Sequence, residues 1–257
     1  QVSRATQLLD ETLQEWRTRP LGECPYLYLD ARYEKVRDHG QVRDAAVLIA
    51  SGVTPDGKRR ILGVSVSLGE HEVHWRTFLQ SLVARGLGGV QLIVSDDHAG
   101  LKAARQSVFG GVPWQRCQFH LQQNAQAYVP RVELKAPVAA DLRNIFNAPD
   151  RVAADALLKR TIEKYSSSAP QLAKWLESDL AEGFTVFHFP RSHQRRLRTV
   201  NAIERVNREI KRRTQVVSIF PNEPACLRLI TALLMEMDEE WQIGKTYLTL
   251  GEEVPPQ

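Results

Sequence analysis

The spacing of hydrophobic positions switches between two periods along the first half of the chain. Apolar residues recur at helical intervals over 3–19, 72–85, 99–107 and a segment that ends at 128. Compact apolar runs, which are typical of buried strands, occupy 26–29, 45–53, 61–68, 90–94 and 114–117. Three antiparallel strands followed by strands with helical crossovers predict an α/β architecture with a mixed sheet and flanking helices.

The second half of the chain shows helical periods only. They cover 138–146, 150–165, 169–182, 198–213 and 224–242. The region of the first three is punctuated by Pro130, Pro137, Pro149 and Ser166-Ser167-Ser168-Ala169-Pro170. The strand order of the first half is that of a ribonuclease-H-like sheet, so residues 131–189 are predicted to be an all-helical insertion. The predicted parts are an N-terminal helix (1–23), a first core part (24–130), the insertion (131–189), a second core part (190–245) and a tail (246–257). The last six residues, 252–257, are expected to be disordered.

The composition indicates an ordinary globular protein. The chain has 257 residues, 43% of them hydrophobic, and no apolar run approaches the roughly 20 residues of a membrane span. The three cysteines are too few and too scattered for a disulfide framework, which favours a reducing cytoplasm. The chain begins at Gln1, with no secretory leader, and we interpret it as a fragment of a longer protein.

Positive charge is concentrated in residues 191–213. This segment carries nine basic residues against Glu204 and Glu209, a net charge of +7, whereas the whole chain has a net charge of +4. The basic residues are Arg191, Arg195, Arg196, Arg198, Arg205, Arg208, Lys211, Arg212 and Arg213. Such a segment is either a docking surface for a polyanion or a solvated basic helix, and composition alone leaves both open.

Two aspartates follow predicted buried strands. Asp30 ends the run at 26–29 and Asp96 closes the strand at 90–94. A carboxylate there needs a positive partner, which is a metal ion, a helix N-terminus or an arginine. The carboxyl ends of neighbouring strands are where an α/β sheet collects ligand-binding side chains. Asp97 fits the metal role as well as Asp96 does, and it also fits the N-cap of the following helix.

The third candidate acid lies on the helix at 198–213. Ile203, Val206 and Ile210 form its apolar stripe, and Glu204 lies beside them in line with Asn207, Arg208 and Lys211. A carboxylate followed by side chains that reach phosphate suits a metal ligand next to DNA. The alternative is a surface ion pair between Glu204 and Arg208.

The pair Cys117 and His120 has zinc-like spacing but no second pair to complete four ligands. A structural role is favoured, with Cys117 buried at a strand end, His120 hydrogen-bonded toward the site, and zinc unlikely. Trp175 is predicted to be a core residue rather than a platform for DNA bases. The sequence contains no phosphate loop and no nucleophile elbow, so no nucleotide cofactor is expected.

Four strings occur in the order found in Mutator-type transposases, bacterial insertion-sequence enzymes related to the plant Mutator elements. They span 28–33, 94–101, 115–120 and 199–207, and Arg212-Arg213-Thr214 followed by Phe220-Pro221-Asn222 adds to them. The resemblance covers residues 24–245. It implies that Asp30, Asp96 and Glu204 are the catalytic acids. The spacing of Asp96 to His98, Gly100 and Leu101 favours Asp96 over Asp97, and Cys117 and His120 match a family signature.

The resemblance also implies the chemistry. The three acids would bind two Mg²⁺ (or Mn²⁺) ions, which cleave transposon ends and join them to target DNA by in-line displacement. His98 and His120 would orient ligands or the attacked phosphate. The expected DNA contacts are Arg195, Arg196, Arg198, Asn201, Arg205, Asn207, Arg208, Lys211, Arg212 and Arg213.

The expected partners are double-stranded transposon ends and target DNA, bound by a homodimer, without a membrane and near the nucleoid. Relatives carry an N-terminal region that reads the transposon ends, and residues 1–20 are too short to be that region. Two other functions remain open: a ribonuclease-H-like nuclease that only hydrolyses, and a catalytically silent DNA-binding relative.

Overall fold

The computed structural model describes residues 2–250, so the disorder predicted for 252–257 lies outside the described residues. The strands are β1 (Tyr26–Asp38), β2 (Gln41–Val53), β3 (Arg59–Ser67), β4 (Leu92–Ser95) and β5 (Trp114–Arg116). The helices are α1 (Val2–Thr18), α2 (Glu72–Ala84), α3 (Ala99–Phe109), α4 (Gln118–Gln126), α5 (Val132–Phe146), α6 (Arg151–Tyr165), α7 (Pro170–Asp179), α8 (Arg191–Leu197), α9 (Asn201–Thr214) and α10 (Glu223–Ile243). Two 3₁₀ helices, Leu180–Gly183 and Thr185–His188, follow α7.

The strands form one five-stranded sheet in the order β3-β2-β1-β4-β5, which confirms a mixed α/β architecture with flanking helices. β2 is antiparallel to both β1 and β3. β4 starts level with β1, because the backbone amides of Gln91 and Leu92 both donate to the carbonyl of Pro25, at 2.8 and 3.2 Å. None of the helices described between residues 2 and 250 is long and apolar enough to cross a membrane.

The first strand is much longer than the hydrophobic pattern predicts. We expected it to end at Leu29, but β1 continues through Asp30 to Asp38 in unbroken register with β2. The hairpin closes at His39 and Gly40, whose positive φ angles of 45° and 81° are typical of a tight two-residue hairpin turn. Backbone pairing extends the strand where few side chains are buried, so Asp30 lies inside β1 rather than after it.

Contacts along the chain divide it into two compact units. The first contains α1 to α3, β1 to β3, α9 and α10. Within it the carboxylate of Asp238 on α10 is 1% exposed and accepts hydrogen bonds from Arg19, Arg60, the Ile61 amide and Gln242, at 2.8–3.2 Å. This carboxylate fastens α10 to β3 and to the chain that follows α1.

The second unit contains β5 and α4 to α8. Its helices pack around a core that includes Leu142, Phe146 and Leu176. Trp175 is 8% exposed and stacks on Tyr128 with ring centroids 5.5 Å apart, so it packs as a core residue.

Two predicted helix boundaries in the second half are wrong. α5 begins at Val132, not 138, and Pro137 lies inside it; the buried apolar face of the helix offsets the backbone donor that proline lacks. The helix predicted to start at 198 begins instead at Asn201 as α9, after a break that follows the end of α8 at Leu197. The carbonyl of Arg198 accepts from the Gln118 amide at 2.9 Å instead of a bond within a continuous helix.

Candidate active site

Asp30 is half-buried within β1, and both of its carboxylate oxygens accept hydrogen bonds. Oδ1 accepts from the Ala31 amide at 2.9 Å, and Oδ2 accepts from the side-chain amide of Asn207 on α9 at 2.8 Å. The sequence predicted Asn207 to contact DNA. The structure instead turns its amide nitrogen onto Asp30, so the orientation of this carboxylate depends on α9.

α9 lies along β1 through a set of polar contacts. The guanidinium of Arg32 donates to the main-chain carbonyl of Asn207 and forms an ion pair with Glu34 at 2.7 Å. Farther along, the hydroxyl of Thr214 donates to Glu34 at 3.0 Å. Beneath these contacts the predicted stripe of Ile203, Val206 and Ile210 is fully buried. The helix is therefore fixed by an apolar face and by polar contacts at two levels.

Glu204 lies in the first turn of α9, one helical turn before Asn207. Its Oε1 atom is buried, and no described residue donates a hydrogen bond to it. No ion pair joins Glu204 to Arg208 among the described residues, so the surface-pair alternative does not apply. The Oδ1 atom of Asn207 is likewise buried without a donor within the described chain. Buried oxygens of this kind are rare, because each forfeits its hydration without a replacement partner.

Asp96 belongs to the second unit, directly after β4. The preceding residue is firmly held: the carbonyl of Ser95 accepts from the Cys117 amide at 2.8 Å, and its hydroxyl accepts from the indole of Trp114 at 2.9 Å. The Oδ1 atom of Asp96 is buried with no donor among the described residues. Its Oδ2 atom is 3.7 Å from Nδ1 of His120, too far for a hydrogen bond but close enough for an ion pair with a protonated imidazole.

Cys117 is fully buried at the end of β5, as predicted, and starts α4. His120 lies in the first turn of that helix, which explains how the Cys-x2-His spacing carries the imidazole toward Asp96. The predicted hydrogen bond from His120 toward the site is absent among the described residues, since its Nδ1 atom has no partner there.

Of the two roles that the sequence left open for Asp97, the structure does not show the N-cap role. α3 starts at Ala99 with His98 at the cap position, and Oδ1 of Asp97 is 3.5 Å from the ammonium group of Lys102. α3 lies tightly against the chain before α2, where a Cβ atom on Gly100 would come within 2.5 Å of the Glu70 carbonyl. Only glycine at position 100 allows this approach.

The close packing at Gly100 also creates a cluster that the sequence did not reveal. The carboxylate of Glu70 accepts from the hydroxyl of Tyr33 and the indole of Trp75, both at 3.2 Å. Nδ1 of His98 is 3.5 Å from the same carboxylate. Burial and the neighbouring Glu70 raise the pKa of Tyr33. Glu70 occupies a loop with no hydrophobic period, so nothing in the sequence indicated that it holds His98.

The basic residues of α9 fall into two groups. Arg205, Arg208 and Lys211 are exposed and form no ion pair with any described residue. In contrast, hydrogen bonds from Arg212 and then Arg213 lower the pKa of Glu209 to about 2. Arg213 also pairs with Glu236 at 3.0 Å. The first group is therefore free to meet an anion, whereas the second already neutralises carboxylates.

The remaining predicted DNA contacts lie on α8 and at the start of α9. Arg195 and Arg196 are exposed on α8, and Asn201 is exposed as the first residue of α9. Arg198 is half-buried and donates to Asn147 at 2.6 Å. Burial, and secondarily the charge of Arg195, lowers the pKa of Arg198. Its guanidinium is thus already engaged within the second unit.

Comparison with known proteins gives the class of this chain. The family model described as "Transposase, Mutator family" matches residues 1–244. The chain belongs to the Mutator family of transposases.

The transposase for insertion sequence element IS406 of Burkholderia multivorans is 60% identical over 251 residues, covering 98% of this chain and 65% of that protein. The transposase for ISRM5 of Rhizobium meliloti is 42% identical over 252 residues, covering 98% and 63%. The transposase for IS256 in transposon Tn4001 of Staphylococcus aureus is 39% identical over 246 residues, covering 93% and 62%. The chain therefore spans less than two thirds of the length of these relatives.

Among solved structures, a chain of a simian T-cell lymphotropic virus intasome in complex with PP2A regulatory subunit B56 gamma matches with a TM-score of 0.29 and 14% identity. The match covers 63% of this chain and 51% of that chain. A likeness of this size supports no conclusion about mechanism.

Proposed function

We propose that this chain is the catalytic domain of a transposase, which cleaves DNA at transposon ends and joins the ends to target DNA. Family membership supports the reaction class. The observation that carries the site is the set of buried oxygens without donors on Glu204 and Asp96, together with the fixed carboxylate of Asp30. Asp30 lies within β1, Glu204 lies in the first turn of α9, and Asp96 directly follows β4.

We further propose a ribonuclease-H-like fold with the segment 131–189 as its helical insertion. The antiparallel order β3-β2-β1, with β4 added on the other side of β1, supports this assignment. Asp30 is the fifth residue of β1, and Asp96 follows the four residues of β4, which begins level with β1. The helices α5 to α7 fill the proposed insertion.

The donor atoms fit divalent cations that prefer oxygen. Asp30, Asp96 and Glu204 would hold Mg²⁺ or Mn²⁺, both of which favour carboxylate ligands. When bound, two such ions activate the attacking water or 3′-hydroxyl and stabilise the leaving oxygen. Zinc is not proposed, because the single Cys117 and His120 pair supplies only half of a typical zinc set.

Other residues of the proposed site would orient the catalytic carboxylates or contact DNA. Asn207 and the Ala31 amide fix the carboxylate of Asp30, and His120 lies where a protonated imidazole would steady Asp96. Arg205, Arg208 and Lys211 would contact backbone phosphates, because no described acid neutralises them. Arg212, Arg213 and Arg198 are weaker candidates, since each is already bonded to a protein group. A homodimer would bring two transposon ends together.

We predict that Asp96, not Asp97, is the second catalytic acid. Asp96→Asn should reduce strand cleavage by at least roughly 10²-fold, as expected for loss of a few kcal/mol of transition-state stabilisation. Asp97→Asn should retain activity close to that of the unaltered chain, because Asp97 faces Lys102. Cleavage of a labelled transposon-end duplex in Mn²⁺ measures both. A larger loss in Asp97→Asn than in Asp96→Asn would reverse the assignment.

The proposed function is tested with a pre-cut transposon-end oligonucleotide and a supercoiled plasmid in Mn²⁺. A transposase yields plasmid covalently joined to the oligonucleotide. Nicked plasmid without joined product would instead identify a nuclease that only hydrolyses. Normal DNA affinity without any metal-dependent product would identify a silent DNA-binding relative. A parallel reaction with a full-length relative controls for the part of the protein that lies outside this chain.

A further inference from the structure

The side chain of Asn207 on α9 points at a catalytic candidate rather than at solvent. It is half-buried, and its Nδ2 atom donates to Oδ2 of Asp30 at 2.8 Å. A carboxylate can only accept, so the nitrogen of the amide must be the atom that faces Asp30. The orientation of the Asn207 amide is thereby determined.

With the nitrogen turned to Asp30, the amide oxygen of Asn207 has no donor. Its Oδ1 atom is buried, and none of the described residues bonds to it. The Oε1 atom of Glu204 is in the same condition, and the two residues are three positions apart on one helix face. Buried oxygens without donors on two residues one helical turn apart suit a cation or its bound water.

The main chain at Asn207 is fixed as well. Arg32 donates to the carbonyl of Asn207 while pairing with Glu34, so residues of β1 hold this turn of α9 on both its side chain and its backbone. A residue anchored in this way transmits the position of the helix to Asp30.

We propose that Asn207 is a positioning residue of the metal site. Its amide nitrogen orients Asp30 for the cation, and its amide oxygen accepts a hydrogen bond from a water molecule of the hydrated cation. This inference rests on the proposed function, and it replaces the direct DNA contact expected for Asn207 from the sequence. Mg²⁺ and Mn²⁺ retain several waters in protein sites, which gives the oxygen a partner without adding a ligand.

The test is a titration of the whole 257-residue chain with Mn²⁺. The electron paramagnetic resonance signal of free Mn²⁺ measures how much of the ion is bound. Asn207→Ala should weaken Mn²⁺ binding by about 10- to 100-fold, which is the usual effect of removing a group that orients a metal ligand. Asn207→Leu keeps the side-chain volume and should lose the same amount. Asn144→Ala, on the exposed face of α5, is the matched substitution and should bind as the unaltered chain does.

Thr214→Ala distinguishes a specific role of Asn207 in orienting Asp30 from a general weakening of the packing of α9 on β1. It removes a different polar contact between α9 and β1, the bond from Thr214 to Glu34, two turns away from Asn207. We expect it to lower the melting temperature and leave Mn²⁺ affinity unchanged. Equal weakening in Thr214→Ala and Asn207→Ala would overturn the positioning role.

Asp30→Asn separates the failure of this inference from that of the proposed function. If Asp30→Asn loses Mn²⁺ and Asn207→Ala does not, the role of Asn207 is wrong and the carboxylate site stands. If Asp30→Asn binds Mn²⁺ as the unaltered chain does, the proposed metal site fails, and the role of Asn207 fails with it.

Discussion

Asp30→Asn is expected to abolish DNA strand cleavage while DNA affinity stays near that of the unaltered chain. The substitution removes a negative charge where the proposed mechanism needs a cation ligand, and metal ligation is worth several kcal/mol in the transition state. A loss of about 4 kcal/mol corresponds to roughly 10³-fold in rate. In the proposed function DNA affinity would come instead from basic residues such as Arg205 and Arg208, which the substitution does not touch.

The fold should tolerate this change. Both oxygens of Asp30 accept hydrogen bonds, from the Ala31 amide and from Asn207. An asparagine amide retains one acceptor, so one hydrogen bond is lost, at a cost of about 0.5–1.5 kcal/mol. A loss of activity in a folded variant can then be attributed to the missing carboxylate.

Cleavage of a labelled transposon-end duplex measures the activity of Asp30→Asn, and a gel-shift titration measures its DNA affinity. Asp44→Asn is the matched control, because Asp44 lies on the same hairpin, is half exposed and pairs only with Lys35 among the described residues. Retained cleavage in Asp30→Asn would remove Asp30 from the catalytic set.

Asp238→Ala is expected to produce the largest loss of stability. Its carboxylate is buried and serves two arginines, a backbone amide and a glutamine. Removing one member of a buried charge network leaves its partners desolvated, which costs about 3–5 kcal/mol. Burial already lowers the pKa of Arg19 to about 10, so its charge depends on Asp238 for compensation.

Urea unfolding, monitored by circular dichroism, measures the stability loss of Asp238→Ala as a change in the free energy of unfolding. Glu239→Ala, at the exposed neighbouring position of α10, should change that free energy by less than about 0.5 kcal/mol. A loss below about 1 kcal/mol in Asp238→Ala would show that water readily replaces the carboxylate and that α10 is held by its apolar face alone.

Hydrophobic spacing predicted the elements with strong apolar patterns. β2, β3, α2, α6 and α10 lie close to their expected positions because burial and periodicity agree there. The extension of β1 beyond Asp30 was missed, since backbone pairing with β2 holds residues that show no apolar run. At the break between α8 and α9, the Arg198 carbonyl accepts a hydrogen bond from the Gln118 amide, a long-range contact that no local pattern contains.

At the candidate site, too, local sequence patterns do not reveal long-range contacts. Spacing and family resemblance identified Asp30, Asp96 and Glu204 as candidates, but a linear pattern does not reveal which side chains support them. Asn207 looked like one more polar residue on a basic helix, and its bond to Asp30 appears only when α9 lies on β1. The contact between Glu70 and His98 depends on the close approach at Gly100.

The most direct measurement is strand transfer of a pre-cut end into supercoiled plasmid, in Mn²⁺ or in EDTA, by the unaltered chain, Glu204→Gln and Glu239→Gln. Glu239 is an exposed glutamate of α10 outside the proposed site. We predict joined product for the unaltered chain and for Glu239→Gln in Mn²⁺ only, and none for Glu204→Gln. Joined product from Glu204→Gln at the unaltered rate, or product that persists in EDTA, would contradict a metal-dependent transposase site that includes Glu204.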